Sequence, residues 1–205
     1  MFQPESNVFR TGTSRRALVV MAVVGILFCS PPCAATTDFT AAGVLLLANQ
    51  NGSAFILLGR DRYRPWYEML AGSRERVPDG GGADTSRRET AYETALRECF
   101  EESRGFLKPD YLSGVTDPAA FLRDGSFVFF RAEIEKVLSS EIKRQRLPEV
   151  DNSAAFREIV DYAWVPVEAV LSGNDAFVFD DTGRRIQVRR RLKHRLVQAR
   201  AAGWL

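Results

Sequence analysis

One hexapeptide, Arg97-Glu98-Cys99-Phe100-Glu101-Glu102, places an arginine and three carboxylates at fixed offsets and constrains this chain more than any other feature. Before it stands Thr90, a residue type that caps helices, and Glu93 follows at the position whose side chain completes a capping box. The apolar residues of the same stretch share one face of a helical wheel. We therefore predict an amphipathic helix from Thr90 to about Ser103.

The three glutamates lie at positions i, i+3 and i+4, so their side chains crowd the opposite face of this helix. Repulsion between like charges costs a few tenths of a kcal/mol per pair on an exposed helix. A hard divalent cation would turn that cost into affinity, because Mg²⁺ prefers carboxylate oxygens and is often shared with substrate phosphates. The alternative interpretation is a solvated acidic face without a ligand.

The pattern continues towards the amino terminus. Glu89 lies eight residues before Arg97, and the stretch 67–72 is predicted to be a short strand that ends at Gly72. Together these residues resemble the signature of the Nudix hydrolases, Gly-x5-Glu-x7-Arg-Glu-U-x-Glu-Glu-x-Gly-U, where U is apolar. The resemblance implies an α+β fold, the Nudix-type α/β/α sandwich around a mixed β-sheet, over about residues 38–202.

This chain departs from the family pattern in two places. Gly72 and Glu89 are 17 positions apart where the pattern has 6, so 11 extra residues fall within 74–88. Aligning Gly82 instead still misses the spacing by one and leaves the strand remote. At the other end Arg104 stands where the pattern has glycine, so we expect the helix to run one residue further before a cap at Gly105. Neither departure removes a carboxylate, but both change the rim of the pocket.

By analogy with the family, Glu98, Glu101 and Glu102 hold Mg²⁺ or Mn²⁺, and the backbone carbonyl of Ala71 is a further ligand. The reaction implied is hydrolysis of a pyrophosphate linkage in a nucleoside diphosphate derivative or a similar diphosphate. One of the three glutamates, or Glu158 nearer the carboxyl terminus, would accept the proton of the attacking water.

The resemblance gives other residues a structural part. It implies that Glu89 pairs with Arg97, that Arg97 orients the helix and the loop without reacting, and that Gly72 shapes the turn before the loop. Glu149 is a weaker alternative to Glu158. Arginines 60, 62 and 64, in the loop before the short strand, are either phosphate contacts or ordinary solvated side chains.

Two other functions stay open at this stage. A Nudix-fold module could bind a ligand or partner without turnover, because the enlarged loop could cover the cleft. Isomerase or transfer chemistry is the second, but the chain has no evident cysteine-based site for it. Cys99 falls on the apolar face of the helix and His194 is the sole histidine, which argues against a thiol nucleophile and against a Cys/His zinc site.

Residues 1–35 are predicted to be an export signal peptide, and residues 36–205 the Nudix domain. Basic residues precede an uncharged apolar run of 13 residues from Ala17 to Cys29, and the small residues Cys33-Ala34-Ala35 follow. Thirteen residues suit a signal peptide better than a bilayer span. We expect a periplasmic or secreted protein, with a membrane anchor over residues 17–30 as the alternative.

The remaining chain predicts further elements of an α+β fold. An Asn51-Gly52 turn between apolar stretches predicts a β-hairpin over 39–58, and strands are expected at 126–134 and 159–165. The stretch after the acidic helix, through Gly114 and Pro118, is predicted to be a turn and a loop. Residues 136–146 are expected to form a polar helix or loop, and a further helix begins near Pro166.

A basic amphipathic helix is predicted over 186–202. Its apolar stripe consists of Val188, Leu192, Leu196 and Ala199, and arginines and lysines cover the rest. We expect this helix to dock on the domain with a solvated cationic face. The expected partner is therefore a small-molecule diphosphate and not a nucleic acid, and a membrane is contacted only through an uncleaved amino-terminal segment.

Overall fold

The computed structural model describes residues 38–78, 86–145, 154–173 and 176–205. The predictions for residues 1–35 and for Glu149 lie outside these ranges. The strands are β1 (Ala41–Gln50), β2 (Ser53–Asp61), β3 (Tyr67–Glu68), β4 (Ala71–Ser73), β5 (Arg76–Pro78), β6 (Ser86–Arg88), β7 (Thr116–Asp124), β8 (Phe127–Glu133), β9 (Ile159–Pro166), β10 (Phe177–Phe179) and β11 (Arg185–Gln187). The helices are α1 (Ala91–Glu102), α2 (Pro109–Val115), α3 (Ser139–Arg144), α4 (Val167–Ser172) and α5 (Arg190–Ala201).

Strands β1 and β2 form the predicted hairpin. Its turn places Asn51 at φ 52° and Gly52 at φ 76°, and Gln50 pairs with Ser53. Positive φ at both central residues is the geometry of the type I′ turn, which suits the twist of a two-residue hairpin. The Asn-Gly signal in the sequence therefore sets the register of the sheet.

Strands β1 and β2 separate beyond the turn, and the segment that follows β2 lies between them. β1 pairs with β2 only over residues 47–50, and its first residues pair with β4 instead. Where β2 no longer pairs with β1, its residues Gly59 and Arg60 pair with β3. The stretch from Tyr67 to Ser73 is thus held between the two strands, which fixes Ala71 and Gly72 in the middle of the sheet.

The sheet is mixed. β1 runs parallel to β8, whereas β2, β9 and β7 each run antiparallel to the neighbour they pair with. Val44 and Leu46 of β1 belong to a core that includes Ala95 and Cys99 of α1. The alternate residues of β1 belong to a second core that includes residues of α4 and α5. Since successive strand residues point to opposite faces, the sheet lies between two helical layers, and the predicted α/β/α sandwich is confirmed.

Strands at 127–133 and 159–166, α3 and the helix from Val167 confirm their predictions. The prediction of a loop through Gly114 and Pro118 is wrong, because α2 and the edge strand β7 occupy that stretch. Pro109 starts α2 at a position that suits proline. Pro118 lies in β7 where the pairing register shifts between Thr116 and Phe121, and proline is tolerated in edge strands and bulges.

The carboxyl-terminal helix begins later than predicted. Residues 185–187 form β11, which pairs with β10, so α5 starts at Arg190 instead of residue 186. The predicted stripe of Val188, Leu192, Leu196 and Ala199 is buried. Arg195 is an exception to the expected solvated face, because it is only 3% exposed and its guanidinium lies over the Phe127 ring at 3.7 Å. In the described ranges, none of the helices is long and apolar enough to cross a membrane.

Candidate active site

The two ends of α1 are fixed by local hydrogen bonds. At the start, the Glu93 N–H donates to Thr90 Oγ1 (3.2 Å) and the Thr90 N–H donates to Glu93 Oε2 (2.8 Å), which is the predicted capping box. At the end, the N–H of Gly105 donates to the Phe100 carbonyl (2.8 Å) and that of Arg104 to the Glu101 carbonyl (3.0 Å). This pair of bonds is a Schellman motif.

The prediction that the helix runs one residue further before its glycine cap is wrong. The helix ends at Glu102, and Arg104 itself takes the left-handed conformation, with φ 59°, before Gly105 at φ 80°. The arginine thus adopts the backbone geometry for which the family pattern has a glycine. An L-residue in this region costs roughly 1–2 kcal/mol.

The α1 side chains meet the β3–β4 segment at its centre. Glu102 Oε2 accepts a hydrogen bond from the Ala71 N–H at 2.6 Å. A Cβ added to Gly72 would lie 2.2–2.3 Å from the carboxyl atoms of Glu98, so a glycine is what allows the helix carboxylate to approach the strand. The predicted first glycine therefore lies against the predicted metal ligands.

Glu89 and Arg97 form the predicted ion pair. Arg97 Nε donates to Glu89 Oε1 at 2.8 Å and Nη2 donates to Glu89 Oε2 at 3.1 Å. Glu89 is buried and also accepts from the Glu75 N–H (3.0 Å) and from Thr94 Oγ1 (2.9 Å). Burial alone would raise the pKa of Glu89, but these hydrogen bonds and the positive charge of Arg97 lower it.

Arg97 also reaches the acidic face of α1. Its Nη1 lies 2.9 Å from Glu101 Oε2 and 3.0 Å from Glu98 Oε1, and Nη2 donates to the Ser73 carbonyl at 2.8 Å. One guanidinium thereby ties the inserted loop, the strand and two of the three glutamates together. These are the contacts that an orienting part for Arg97, implied by the resemblance, would require.

The three glutamates all resist ionisation. Burial raises the pKa of Glu98 to about 7, with Arg97 acting against this shift and Glu101 adding to it. Burial likewise raises the pKa of Glu101. The pKa of Glu102 is raised well above its usual value, by burial and by the nearby charges of Glu98 and Glu158. Burial disfavours the charged form of a carboxyl group, and a bound cation would reverse that preference.

These side chains line a cavity of about 320 Å³. Its walls are formed by Asp61, Arg64, Ala71, Gly72, Ser73, Glu75, Arg97, Glu98, Glu101, Glu102, Ala155 and Glu158. The predicted metal ligands, Gly72, Arg97 and Glu158 therefore all contribute to one cavity, and the buried Glu89 does not line it. Glu158 reaches it from a different part of the chain, at the end of the helical turn Ala155–Arg157, and its backbone carbonyl accepts from the Arg62 N–H.

One of the three loop arginines lines the cavity. Arg64 lines it, whereas Arg62 donates to the Arg157 carbonyl (2.6 Å) and the Arg60 guanidinium lies over the Tyr67 ring. Asp61 and Glu75 also line the cavity and were not among the predicted residues. No motif signals them, since each joins the site only through the end of β2 or the inserted loop.

The donor set suits a hard divalent cation. Glu98, Glu101 and Glu102 offer carboxylate oxygens, the ligand type that Mg²⁺ and Mn²⁺ prefer. Within the described residues, no three His, Cys, Asp or Glu side chains are gathered as a ready-made metal group, and Arg97 lies between Glu98 and Glu101 instead. The carboxyl group of Glu102 accepts a hydrogen bond from the Ala71 N–H, and the Arg97 guanidinium pairs with Glu98 and Glu101 instead. A bound cation would therefore stabilise the charged form of Glu102 most.

The chain is similar to several solved structures at low sequence identity. The solved structures that resemble the chain include a C. elegans Ap4A hydrolase, at 14% identity and a TM-score of 0.45 over 82% of this chain and 99% of that one. Another is the NUDIX domain of Shewanella oneidensis NrtR complexed with ADP ribose, at 14% identity and a TM-score of 0.42 over 89% and 99%. A Nudix hydrolase from M. smegmatis, RenU, gives 16% identity and a TM-score of 0.38 over 81% and 86%. A search of curated proteins found no match.

The family model described as NUDIX domain matches residues 38–187. That range covers more than two thirds of the 205 residues and contains the helix, the glycine and the cavity residues described above. The chain belongs to the NUDIX domain family.

Proposed function

We propose that this protein is a divalent-metal-dependent hydrolase that cleaves a pyrophosphate linkage in a nucleoside diphosphate derivative or a similar diphosphate. The observation that carries the proposal is the acidic cavity, which is lined by Glu98, Glu101 and Glu102 of α1 and by Glu158. Gly72 allows the carboxyl group of Glu98 to lie close to the strand. Membership of the NUDIX family supports the class of reaction.

The cavity residues divide into those that hold charge and those that position the substrate. Glu98, Glu101 and Glu102 would hold Mg²⁺ or Mn²⁺, together with the Ala71 carbonyl. When bound, the metal neutralises developing charge on phosphate oxygens and makes a water more acidic. Arg64 lines the cavity with its side chain half exposed, 3.6 Å from Asp61, and it would contact a non-bridging phosphate oxygen.

The attacking water loses its proton to a carboxylate of the same cavity. Glu98 and Glu158 are the two candidates. Glu98 lines the cavity from α1; burial raises its pKa to about 7, and a cation bound beside it would lower that pKa again. Glu158 lines the cavity from outside α1. It can therefore accept the proton while the three glutamates of α1 hold the metal. Arg97 does not react, since its donors are occupied by Glu89, Ser73 and the two glutamates.

The test is a hydrolysis assay on the purified protein with a panel of nucleoside diphosphate derivatives, with and without Mg²⁺ or Mn²⁺, in which the nucleoside monophosphate product is measured by chromatography. We expect metal-dependent turnover by the wild type, and turnover at background by Glu102→Gln, which keeps its fold. Glu102→Gln activity near that of the wild type would refute the site assignment. Tight ligand binding without turnover by the wild type would favour a silent Nudix-fold binding module.

We also propose that residues 1–35 direct export and that the domain acts outside the cytoplasm. The basic start, the short apolar run and the small residues before Thr36 support this proposal. Cell fractionation tests it. Mature protein in the periplasm or medium supports export, full-length protein in the membrane supports an anchor over 17–30, and full-length protein in the cytosol overturns both.

A further inference from the structure

The inserted loop carries a second charged feature beside the acidic cavity. Its described ends form a two-stranded antiparallel ribbon of β5 and β6, in which Arg76 pairs with Arg88 and Val77 with Arg87. Residues directly opposite in an antiparallel pair place their side chains on the same face of the ribbon. Two like charges therefore face each other across β5 and β6.

The arginines on the two faces of the ribbon differ in their ion pairing. Arg87, on one face, forms a bidentate ion pair with Glu93, at 2.5 and 2.6 Å. Arg76 and Arg88, on the other face, are exposed, and their side chains have no hydrogen-bond or ion-pair partner within the parts of the chain that the structure describes. Directly opposed like charges destabilise a strand pair, so this face carries a cost that a bound anion would remove.

A third arginine joins the same side. Arg74 lies between β4 and β5 and lines the same pocket as Arg76 and Arg88. Its guanidinium lies 4.4 Å from the centre of the Phe39 ring, and its Nε donates to the Glu89 carbonyl at 2.7 Å. These contacts fix the orientation of Arg74 before any ligand arrives, which lowers the entropic cost of binding one.

The three arginines line a pocket. A cavity of about 310 Å³ is formed by Phe39, Thr40, Arg74, Glu75, Arg76 and Arg88. Glu75 also lines the catalytic cavity, so the two cavities adjoin at this residue. The Glu75 carboxylate lies 3.8 Å from Arg97 Nη1, which offsets part of its charge where a phosphate chain would pass.

We propose that Arg74, Arg76 and Arg88 form an anion subsite that holds a phosphate group of the substrate beyond the linkage that is cleaved. The inference rests on the proposed hydrolase function. It narrows the substrate class to compounds with at least one phosphate more than a simple diphosphate. Arginine suits this part because its planar guanidinium binds phosphate oxygens in a bidentate manner.

Binding in the absence of metal tests the subsite without any hydrolysis. Calorimetry in EDTA would measure the Kd of inorganic tripolyphosphate for the full chain and for the double variant Arg76→Gln/Arg88→Gln. We expect the double variant to weaken binding at least tenfold. The matched control is Arg190→Gln/Arg191→Gln, which removes the same charge from exposed positions of α5 and is expected to change Kd less than twofold. Equal weakening in both variants, or none in the first, would overturn the subsite.

Two further measurements distinguish a phosphate subsite from a purely structural pair of arginines. If Arg76 and Arg88 were structural, their replacement would lower the midpoint of urea unfolding in buffer without phosphate or sulfate, whereas relief of their repulsion leaves the midpoint unchanged or slightly higher. In the hydrolysis assay, the double variant should raise KM for a nucleoside tetraphosphate at least tenfold and leave KM for a nucleoside diphosphate within twofold. Absence of turnover with every substrate would contradict the hydrolase function, and the calorimetry would still decide the subsite.

Discussion

Substitution of Gly72 by alanine separates the geometry of the site from the stability of the fold. The added Cβ would lie 2.2 Å from Glu98 Cδ and Oε2 and 2.3 Å from Oε1. Ordinary contacts at such a Cβ begin near 3.4 Å, so the carboxyl group must retreat by about 1 Å or more. The backbone of Gly72 lies outside the left-handed region, and alanine brings no conformational strain of its own.

The expected effects on stability and activity differ in size. The atoms that must move are the end of a flexible side chain, and Gly→Ala at a compatible position stabilises by about 0.4–1 kcal/mol through the unfolded state. We therefore expect the free energy of unfolding to change by less than about 1 kcal/mol. A displacement of about 1 Å at a catalytic group can cost roughly 10²-fold in rate, so kcat/KM should fall by roughly that factor, equivalent to about 2.7 kcal/mol of transition-state stabilisation.

Gly43 supplies the contrasting variant. A Cβ there would lie 2.4 Å from the Ala71 Cβ and 2.5 Å from the Leu70 carbonyl oxygen, which are held in the sheet. Gly43→Ala should therefore lower the free energy of unfolding by about 1–3 kcal/mol.

Urea unfolding and steady-state kinetics with Mn²⁺ would be measured on both variants. If Gly72→Ala keeps the kcat/KM of the wild type, the position of Glu98 against the strand does not matter for catalysis and the reasoning fails.

Three further predictions concern the residues that support α1. Glu89→Gln should lower the free energy of unfolding by about 3 kcal/mol, because it removes the buried charge paired with Arg97; urea unfolding measures this, and an unchanged midpoint would contradict it. Arg104→Gly should raise the free energy of unfolding by roughly 0.5–1 kcal/mol, since glycine takes φ 59° without the cost to an L-residue; a lower Tm than that of the wild type would refute this account. The pKa of Glu93 is lowered to about 2, mainly by hydrogen bonds from Arg87. The stability that Glu93 contributes is therefore present above pH 4.5 and lost as pH falls towards 2, and Glu93→Gln should lose less stability than the wild type over that range.

The sequence predicted those parts of the fold that local chemistry determines. Asn51-Gly52 fixes a turn that needs two positive φ angles, and Thr90 with Glu93 fixes the start of α1. The loop prediction through Pro118 is wrong because proline, which favours loops, also occurs in edge strands. The strand character of this stretch arises from pairing with β8, a contact that no local pattern reveals.

The site shows the same division. The carboxylates of α1 and Arg97 follow from spacing along one helix, and the family resemblance adds Glu89 just before that helix. Asp61 and Glu75 line the cavity only because the sheet opens between β1 and β2 and the chain after β4 brings the Glu75 carboxylate within 3.8 Å of Arg97. The opposed pair of Arg76 and Arg88 depends on the register of β5 and β6, which spacing across an enlarged loop does not determine.

Charge balance within the cavity makes Glu102 the residue whose replacement best tests the proposed function. Arg97 lies within 3.0 Å of Glu98 and Glu101, and the contacts of its guanidinium do not include Glu102. The carboxyl group of Glu102 accepts a hydrogen bond from the Ala71 N–H instead. Glutamine has a side-chain carbonyl oxygen that can accept the same hydrogen bond. If Glu102 served only to hold α1 against the strand, Glu102→Gln would remain active. Loss of activity with an unchanged free energy of unfolding therefore identifies the negative charge of Glu102, and not its hydrogen bond, as what the reaction requires.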